Sequence, residues 1–554
     1  MEFSASHIER HQQVTVLQEE LPVRYAQLQM QYEALQKEMT DYKTKANYWE
    51  AQFNKFKSRE DLLKIEIEEL KAKLRKREQQ LFGKKSEKSS QDQDQLDPSQ
   101  AISNKKKKKG QQVGSKGHGK RDYSHLPSVE ETVSLFEKDA LCPCCNLPYE
   151  ELAGTENSEV LEVISVKPYR RLIRRKKYKR HCNCEKNPDP KIITPPPSEK
   201  LLPKSKLGTS IWALLLLKKF EYQQPIHRAL AELNGNGLPL AKGTVVDGLK
   251  RLLPLFIPVY DAIVEYSIAA KHWHADETGW KVYETVEGKK NHRWFLWIFH
   301  NTETVVYKIE QTRSSKVLVE HFGSEHEGGI LNVDRYSAYK VIAKSGLFIL
   351  AFCWAHVRRD FLNYSKEYPN NEVFGLMWVE KINHLYHINN QRIQHDPKLN
   401  KFYQYDRELK NAVLAMKGLL DEELKKNEIL PSAKKLLVSL NKHWAGLTVF
   451  IDHPEIPMDN NTAERGLRGS VVGRKNYYGS GSVWSAELAA ALFTLFGTLK
   501  LWKLNIHTWL LGYFYECALL GGKPPEDVQK YLPWNMSEKK KQLFSEPPRH
   551  EESG

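Results

Sequence analysis

The sequence lacks any long uninterrupted apolar segment. Its longest apolar stretches, LLPLFIPVY and WLLGYFYECALLGG, are interrupted or fall short of the roughly 20 residues that a membrane helix needs. The N-terminal segment MEFSASHIERHQQ also lacks the basic start and apolar centre of a secretory signal peptide. These two absences predict a chain without a membrane span, and we expect it to be cytoplasmic.

Cysteine is also scarce, because the 554 residues include only seven, and five of these fall in two tight clusters, CPCC at 142–145 and HCNC at 181–184. In a reducing compartment such clusters favour metal binding over disulfides. Two short knuckles can bring four thiolates to one zinc ion. We therefore expect a structural Zn²⁺ site, with Cys144 and His181 as rival ligands and a metal-free pair of clusters as the alternative. The predicted ligands are Cys142, Cys145, Cys182 and Cys184.

The sequence has 69 acidic residues against 84 lysines and arginines, which gives a net charge of +15. This excess of positive charge favours a polyanionic partner such as DNA. The segment KPYRRLIRRKKYKR, residues 167–180, lies between the two cysteine clusters and contains no acid. A solvated face is the usual explanation of such a run, but its single sign favours contacts with DNA phosphates. The candidates are Arg170, Arg171, Arg174, Arg175, Lys176 and Lys177.

The N-terminal region carries a heptad pattern. Apolar residues recur in alternating steps of four and three, interrupted only at Glu60 and Arg77, and Pro22 suits the first turn of the helix. One helix cannot bury such a stripe, so we expect a parallel dimer or higher oligomer; a helix packed on its own domain is the alternative. The stripe consists of Leu21, Tyr25, Leu28, Tyr32, Leu35, Met39, Tyr42, Ala46, Trp49, Phe53, Phe56, Leu63, Ile67, Leu70, Leu74 and Leu81.

Three acidic residues beyond position 270 stand at chemically informative places. Asp276 lies in the strand-like HWHADETGW, Asp334 ends the apolar strand of LNVDRY, and Glu464 follows the candidate helix caps of MDNNTAERGLR by about one turn. Strand, hairpin, helix, strand and a later helix is the order in which an RNase H-like fold presents its metal site. Such acids can neutralise two divalent ions, and oxygen ligands suit Mg²⁺ or Mn²⁺.

Each acid also has a structural alternative. Asp276 could pair with His274 and leave Glu277 as the ligand, whereas Asp334 could cap the turn before Tyr336. Glu464 could form only an intrahelical pair with Arg468. We expect His272 and His274 to have structural roles.

Five motifs together carry a family resemblance: HADETGW, LNVDRYSAYK, FCWAHVRRDF, MDNNTAERGLRGSVVGRKNYYGSGS and the CPCC cluster. From about residue 114 to 509 the chain resembles the large catalytic subunit of the insertion-sequence-66 family of bacterial transposases, which are of the DDE type. The resemblance implies that Asp276, Asp334 and Glu464 form the metal-binding triad. The CxxH pair Cys353 and His356 resembles a pattern of several transposase catalytic cores, and we expect it to have a supporting role, with direct metal ligation as the alternative. The basic residues of the Glu464 helix predict phosphate contacts next to the metal site. The helix residues are Arg465, Arg468, Arg474 and Lys475.

The implied function is metal-dependent cleavage of transposon ends and strand transfer into target DNA. The implied partners are terminal inverted repeats, target DNA, further copies of the chain and accessory transposition proteins, in the bacterial cytoplasm near the nucleoid. A zinc-containing, non-catalytic DNA-binding regulator of transposition is the alternative.

The predicted fold is multidomain α+β. Residues 1–82 form a coiled coil, 83–125 a basic flexible linker and 126–198 a small zinc-binding module; 199–269 are helical, with a possible helix-turn-helix for DNA binding. An RNase H-like catalytic core over 270–364 and 456–510 is split by a helical insertion over 365–455, and 511–554 form the tail.

Overall fold

The computed structural model describes residues 5–82, 168–169, 178–179, 192–193, 199–284, 293–323, 326–344, 346–426 and 428–547. Residues 1–81 with 168–554 form one compact unit, and 82–167 form a second. Two groups of predicted site residues lie outside the described residues. These are Cys142, Cys145, Cys182 and Cys184 of the zinc site, and Arg170, Arg171, Arg174, Arg175, Lys176 and Lys177 of the basic segment.

Helix α1 spans Ala5–Phe82. The prediction that Pro22 stands in the first turn is wrong, because the helix begins 17 residues earlier and Pro22 lies inside it. The residues before Pro22 include good helix formers such as Gln, Glu and Leu, which extend the helix in spite of the missing N–H. The heptad stripe is exposed, with Trp49 at 68% and Phe53 at 65% of their full accessibility.

The C-terminal part of α1 packs against the rest of its unit. Ala72 is buried with Tyr364, Tyr368 and Ala433. Arg75 Nη1 donates to the carbonyl of Glu367 at 2.7 Å. The heptad stripe is therefore exposed along most of α1, whereas the C-terminal end of the helix is held by contacts with Tyr364, Tyr368, Ala433 and Glu367.

The described residues just before the sheet form helices α2 (Thr209–Leu216, continued by a π-helical turn, Leu217–Glu221), α3 (Ile226–Gly235) and α4 (Lys242–Ile268). Helix α4 approaches α2 closely at Gly248, where an added Cβ would lie 1.9 Å from the ring of Trp212. Lys250 and Arg251 are exposed on α4, and Arg251 Nη2 donates to the carbonyl of Pro203 at 2.8 Å. A helix-turn-helix function for this region stays a prediction.

The central sheet has five strands: β1 (His272–Trp280), β2 (Trp294–His300), β3 (Val305–Glu310), β4 (Gly329–Val333) and β5 (Phe348–Phe352). Their order is β3-β2-β1-β4-β5. The pairs β1–β2 and β2–β3 are antiparallel, whereas β1–β4 and β4–β5 are parallel. A separate two-residue ladder joins Tyr178–Lys179 to Ile192–Ile193.

The edge strand β3 is covered by a helix. The backbone N–H groups of Tyr307 and Val305 donate to Thr494 Oγ1 at 2.8 Å and to Thr498 Oγ1 at 3.2 Å. These two threonines lie one turn apart on a helix that spans Val483–Leu501. Two donors that an open edge would expose are thereby satisfied.

Helices make up most of the rest. Two short ones, α5 (Lys316–Phe322) and α6 (Ser337–Ala343), lie between strands. After β5 come α7 (Trp354–Glu367), α8 (Glu372–Ile393), α9 (Asn400–Lys425), α10 (Pro431–Lys442), α11 (Trp444–Leu447), α12 (Val449–Asp452), α13 (Asn461–Tyr477), α14 (Val483–Leu501), α15 (Ile506–Leu519) and α16 (Glu538–Ser545).

The fold is thus mixed α+β and mostly helical, around one mixed sheet. No helix among the described residues is long and apolar enough to cross a membrane.

Candidate active site

Two of the predicted acids lie on neighbouring parallel strands. In the paired part of β1 and β4, His274 is the partner of Asn332. Side chains two residues apart share a face of a strand, so the next positions on this face are Asp276 on β1 and Asp334 just after β4. The register of the sheet therefore brings together two carboxylates that are 58 residues apart in the sequence.

Asp276 is half-buried and surrounded by like charge. Its Oδ1 accepts a hydrogen bond from the backbone N–H of Glu277 at 2.8 Å. The pKa of Asp276 is raised to about 7, mainly by burial, and the negative charges of Glu277, Asp334 and Glu464 contribute to the rise. Asp276 thus lies within electrostatic reach of both other acids of the predicted triad.

Asp334 also forms the turn that we considered as its alternative role. Its Oδ1 accepts from the backbone N–H of Tyr336 at 2.8 Å. That bond uses one carboxylate oxygen and holds the side chain at the carboxyl end of β4, beside Asp276. A turn-forming role and a metal-binding role are therefore compatible.

Glu464 lies one turn into α13, as the candidate caps predict, because the helix begins at Asn461 after the N-cap residue Asn460. Its Oε1 atom is buried and has no hydrogen-bond partner among the described residues. The Nε2 atom of His356 lies 3.4 Å from that oxygen. An unpaired buried acceptor is costly and indicates that a donor or a cation belongs there.

The segment before α13 is fixed to the sheet by two buried asparagines that the sequence analysis missed. Asn460 Nδ2 donates to the carbonyl of Ala275 at 2.8 Å, and Asn460 Oδ1 lies 3.0 Å from His274 Nδ1. Asn332 Nδ2 donates to the carbonyl of Pro457 at 2.9 Å, and Asn332 Oδ1 lies 2.7 Å from His272 Nε2. Their signal in the sequence was position, since Asn332 shares its strand face with Asp334 and Asn460 directly precedes the helix of Glu464.

The two histidines of β1 form hydrogen bonds with these asparagines. Burial lowers the pKa of His274 to about 3, and burial also lowers the pKa of His272. Both rings are therefore neutral near pH 7 and act as hydrogen-bonding scaffold, which agrees with the structural role expected for them.

Glu277 has all its partners on the other face of β1. Its side chain is fully buried. Oε1 accepts from Arg313 Nε at 2.7 Å and lies 2.6 Å from Arg313 Nη2, while Oε2 accepts from the Tyr339 hydroxyl. A carboxylate whose two oxygens are both engaged is poorly placed to bind a metal ion, which argues for Asp276 over Glu277 as the ligand.

The CxxH pair contacts the same region. Cys353 follows β5 as the N-cap residue of α7, and its Sγ accepts from the backbone N–H of Asn460 at 3.2 Å. Burial raises the pKa of the Cys353 thiol to about 11. Potential ligand atoms of Cys353, His356 and Glu464 all lie within 4.8 Å of one another, and this is the closest such group that the described residues form.

The predicted DNA-contacting residues of α13 are not equivalent. Arg465, Arg468 and Lys475 are exposed, whereas Arg474 bonds to β1 through the carbonyl of Gly279. Arg468 follows Glu464 by four residues, and Lys475 follows Arg468 by seven. These spacings keep both cations on nearly the same helix face as Glu464. These two cations are the better placed for a nucleic-acid strand at Glu464.

A second basic group beside Asp334 had no sequence signal. Lys340 Nζ lies 2.7 Å from His443 Nε2. Burial, followed by the charges of Lys442 and Arg335, lowers the pKa of Lys340. Arg335 also bonds to Asp360 and to Ser439. Several cations that repel one another at one place form a site suited to an anion.

Comparison with known proteins gives a consistent result. Residues 204–488 match the family described as "Transposase IS66 family". The chain is similar to three proteins of Sinorhizobium fredii that are described only as uncharacterized. It is 24% identical to y4jD over 74% of this chain and 80% of the relative, and 25% identical to y4hP over 73% and 75%. It is 25% identical to y4qI over 74% and 76%.

Proposed function

The chain belongs to the IS66 family of transposases, and on that premise we propose that it cuts transposon ends and joins them to target DNA by a DDE mechanism. In this proposal Asp276, Asp334 and Glu464 are the catalytic metal ligands. The observation that carries it is the gathering of these three carboxylates on β1, after β4 and on α13, with Asp276 in the field of the other two.

The strand order supports an RNase H-like assignment for this part of the chain. The sheet has three antiparallel strands continued by two parallel ones in the order β3-β2-β1-β4-β5; Asp276 lies on the central strand β1, and Asp334 directly follows the parallel neighbour β4. A later helix then brings the third acid to the same edge. This is the arrangement that the order of motifs in the sequence leads one to expect.

The donor set fits hard divalent cations such as Mg²⁺ or Mn²⁺. The candidate ligands are carboxylate oxygens, which these ions prefer. The buried Oε1 atom of Glu464 lacks a hydrogen-bond partner among the described residues, and the pKa of Asp276 is raised by burial and, in addition, by the negative charges of Glu277, Asp334 and Glu464. When bound, a pair of such ions would activate the attacking oxygen and stabilise the leaving oxygen of a phosphodiester.

The residues of the chain then have distinct tasks. Asn460 and Asn332 hold the start of α13 against β1 and β4, and so position Glu464 relative to the two aspartates. Glu277 fixes the opposite face of β1 through Arg313 and Tyr339. These contacts keep the carboxylates in place before metal and DNA bind, so that little reorganisation is needed during reaction.

DNA binding is assigned to exposed cations around these acids. Arg468 and Lys475 extend from Glu464 along α13, and Arg465 lies next to them. Lys340 and Lys442 form a second contact beside Asp334, where mutual repulsion would be relieved by a phosphate. Both groups would bind the backbone without reading bases.

Oligomerisation through α1 and a zinc module between the cysteine clusters complete the proposal. The exposed heptad stripe supports self-association, because a single helix leaves residues such as Trp49 in water. Accessory transposition proteins are expected from the family.

A strand-transfer assay tests the proposal. Strand transfer with end-sequence DNA, Mg²⁺ and the accessory transposition proteins expected from the family is compared for purified full-length wild type, Asp334→Ala and the surface control Asp452→Ala. Products from wild type and Asp452→Ala but not from Asp334→Ala are expected. Equal products from all three would refute the triad, and DNA binding without products from any of them would support the non-catalytic regulator.

A further inference from the structure

The cluster of Cys353, His356 and Glu464 joins three elements of the unit. Cys353 follows β5, His356 lies in the first turn of α7, and Glu464 lies in the first turn of α13. Their potential ligand atoms lie within 4.8 Å of one another, and His356 Nε2 is already 3.4 Å from Glu464 Oε1. Ligands around a tetrahedral zinc ion are about 3.3–3.8 Å apart, given metal–ligand bonds of about 2.0–2.3 Å. Shifts of about 1 Å would therefore close the set.

Two buried atoms of this cluster lack a hydrogen-bond partner among the described residues. These atoms are Glu464 Oε1 and His356 Nδ1. A buried polar atom without a hydrogen bond is unfavourable for the fold. The occurrence of both atoms in one small group indicates that the group is completed by something other than these side chains.

The sulfur of Cys353 is held as an acceptor. Its Sγ receives the backbone N–H of Asn460, the residue that also fixes α13 to β1. The thiolate is the form that binds metal, so a cation bound here would displace the thiol proton that burial favours. Sulfur and imidazole are ligands that Mg²⁺ avoids and Zn²⁺ prefers.

We propose that Cys353, His356 and Glu464 form a binding site for a thiolate-preferring divalent cation, Zn²⁺ by its ligand chemistry, distinct from the Asp276–Asp334 site and sharing Glu464 with it. Three protein ligands leave one position of a tetrahedral ion open. An ion bound here draws Glu464 towards Cys353 and away from the two aspartates. Zinc in excess is therefore an inhibitor of the proposed Mg²⁺-dependent reaction.

Metal content tests the site without reference to catalysis. Full-length wild type, Cys353→Ser, His356→Ala and the control Cys517→Ser are equilibrated with Zn²⁺, freed of weakly bound metal, and analysed for zinc per chain. Cys517 is the matched control, because it is a second buried free cysteine and lies on α15. Cobalt substitution adds a spectroscopic readout, the absorption of a cobalt–thiolate bond.

We expect Cys353→Ser and His356→Ala each to hold one equivalent of zinc less than wild type and Cys517→Ser, with a weaker cobalt–thiolate band in Cys353→Ser. His356 is partly exposed, so its variant decides the question if Cys353→Ser does not fold. Equal zinc in His356→Ala and wild type overturns the site. Since this readout needs no transposition, a failure of the proposed reaction would leave it intact, and the reverse also holds.

Discussion

Asp276 and Glu277 are neighbours in the sequence, yet the two faces of β1 treat them in opposite ways. Glu277 is fully buried, and Arg313 and Tyr339 satisfy both of its oxygens. Burial raises the pKa of both acids, but Arg313 and Tyr339 oppose the rise in Glu277, whereas Asp276 faces Asp334 and Glu464, whose charges add to a rise that brings its pKa to about 7. One face holds an acid that Arg313 and Tyr339 pair with, whereas the other brings Asp276 close to two further acids.

The comparison teaches that acidity alone does not identify a metal ligand. Buried charges are normally paired, and a group of acids that is not paired has usually been retained for a ligand.

Removal of charge at Asp276 is expected to have the largest effect on activity. Asp276→Asn should lower strand transfer by about a thousandfold or more, since one electrostatic contact in a transition state is commonly worth about 10²–10³ in rate. The same change should raise, or leave unchanged, the thermal midpoint of the metal-free protein, because it relieves repulsion with Asp334 and Glu464. A loss of both activity and stability would place Asp276 among the structural acids.

On the other face, Glu277→Gln should mainly destabilise the fold. The change leaves Arg313 without its carboxylate, and we expect a loss of about 2–3 kcal/mol in the free energy of unfolding, less than for a fully buried pair because Arg313 is partly exposed. Urea denaturation of both variants gives the comparison directly. The contrast between the two faces fails if Glu277→Gln is as stable as Asp276→Asn.

Asn460→Ala tests the connection between α13 and β1. Loss of its side-chain bonds leaves the Ala275 carbonyl and the His274 ring unpaired, and we expect about 1–3 kcal/mol of destabilisation and slower strand transfer through a displaced Glu464. The adjacent Asn461→Ala is the control. Similar losses of stability and of strand-transfer rate in both variants would contradict the positioning role of Asn460.

The smallest effect concerns DNA binding beside Asp334. The logarithm of the DNA-binding constant falls linearly with the logarithm of the salt concentration. Lys340→Ala should make this slope shallower by about one unit, as expected for one lost phosphate contact. Fluorescence anisotropy with duplex DNA at several salt concentrations measures it, with the exposed Lys539→Ala as the control. An unchanged slope in Lys340→Ala would exclude this contact.

Short sequence patterns predicted the features of the fold that depend on residues close together in the sequence. Alternation along HWHADETGW predicts the strand and the face of Asp276, and the caps at 459–461 predict that Glu464 stands one turn into a helix. The exposed stripe of α1 follows from the heptad spacing, although the helix begins well before Pro22. These features depend on residues within a few positions of one another.

The remaining contacts could not be predicted, because they join residues that are distant in the sequence. Glu277 meets Tyr339 across 62 residues, Asn460 meets Cys353 across 107, and Lys340 meets His443 across 103. No periodicity or composition specifies such pairs; the register of β1 and β4 and the packing of the helices bring them together. The resemblance to a family indicated the three acids, but not which residues hold them in place.

Binding of Mn²⁺ tests the central claim most directly. Free Mn²⁺ is measured by electron paramagnetic resonance during titration of the full chain with end-sequence DNA present, for wild type, Glu277→Gln and the double variant Asp276→Asn/Asp334→Asn. We predict that wild type and folded Glu277→Gln remove Mn²⁺ from solution with similar affinity, and that the double variant loses this binding. Equal Mn²⁺ binding by the double variant and wild type would contradict the assignment of these two aspartates as metal ligands.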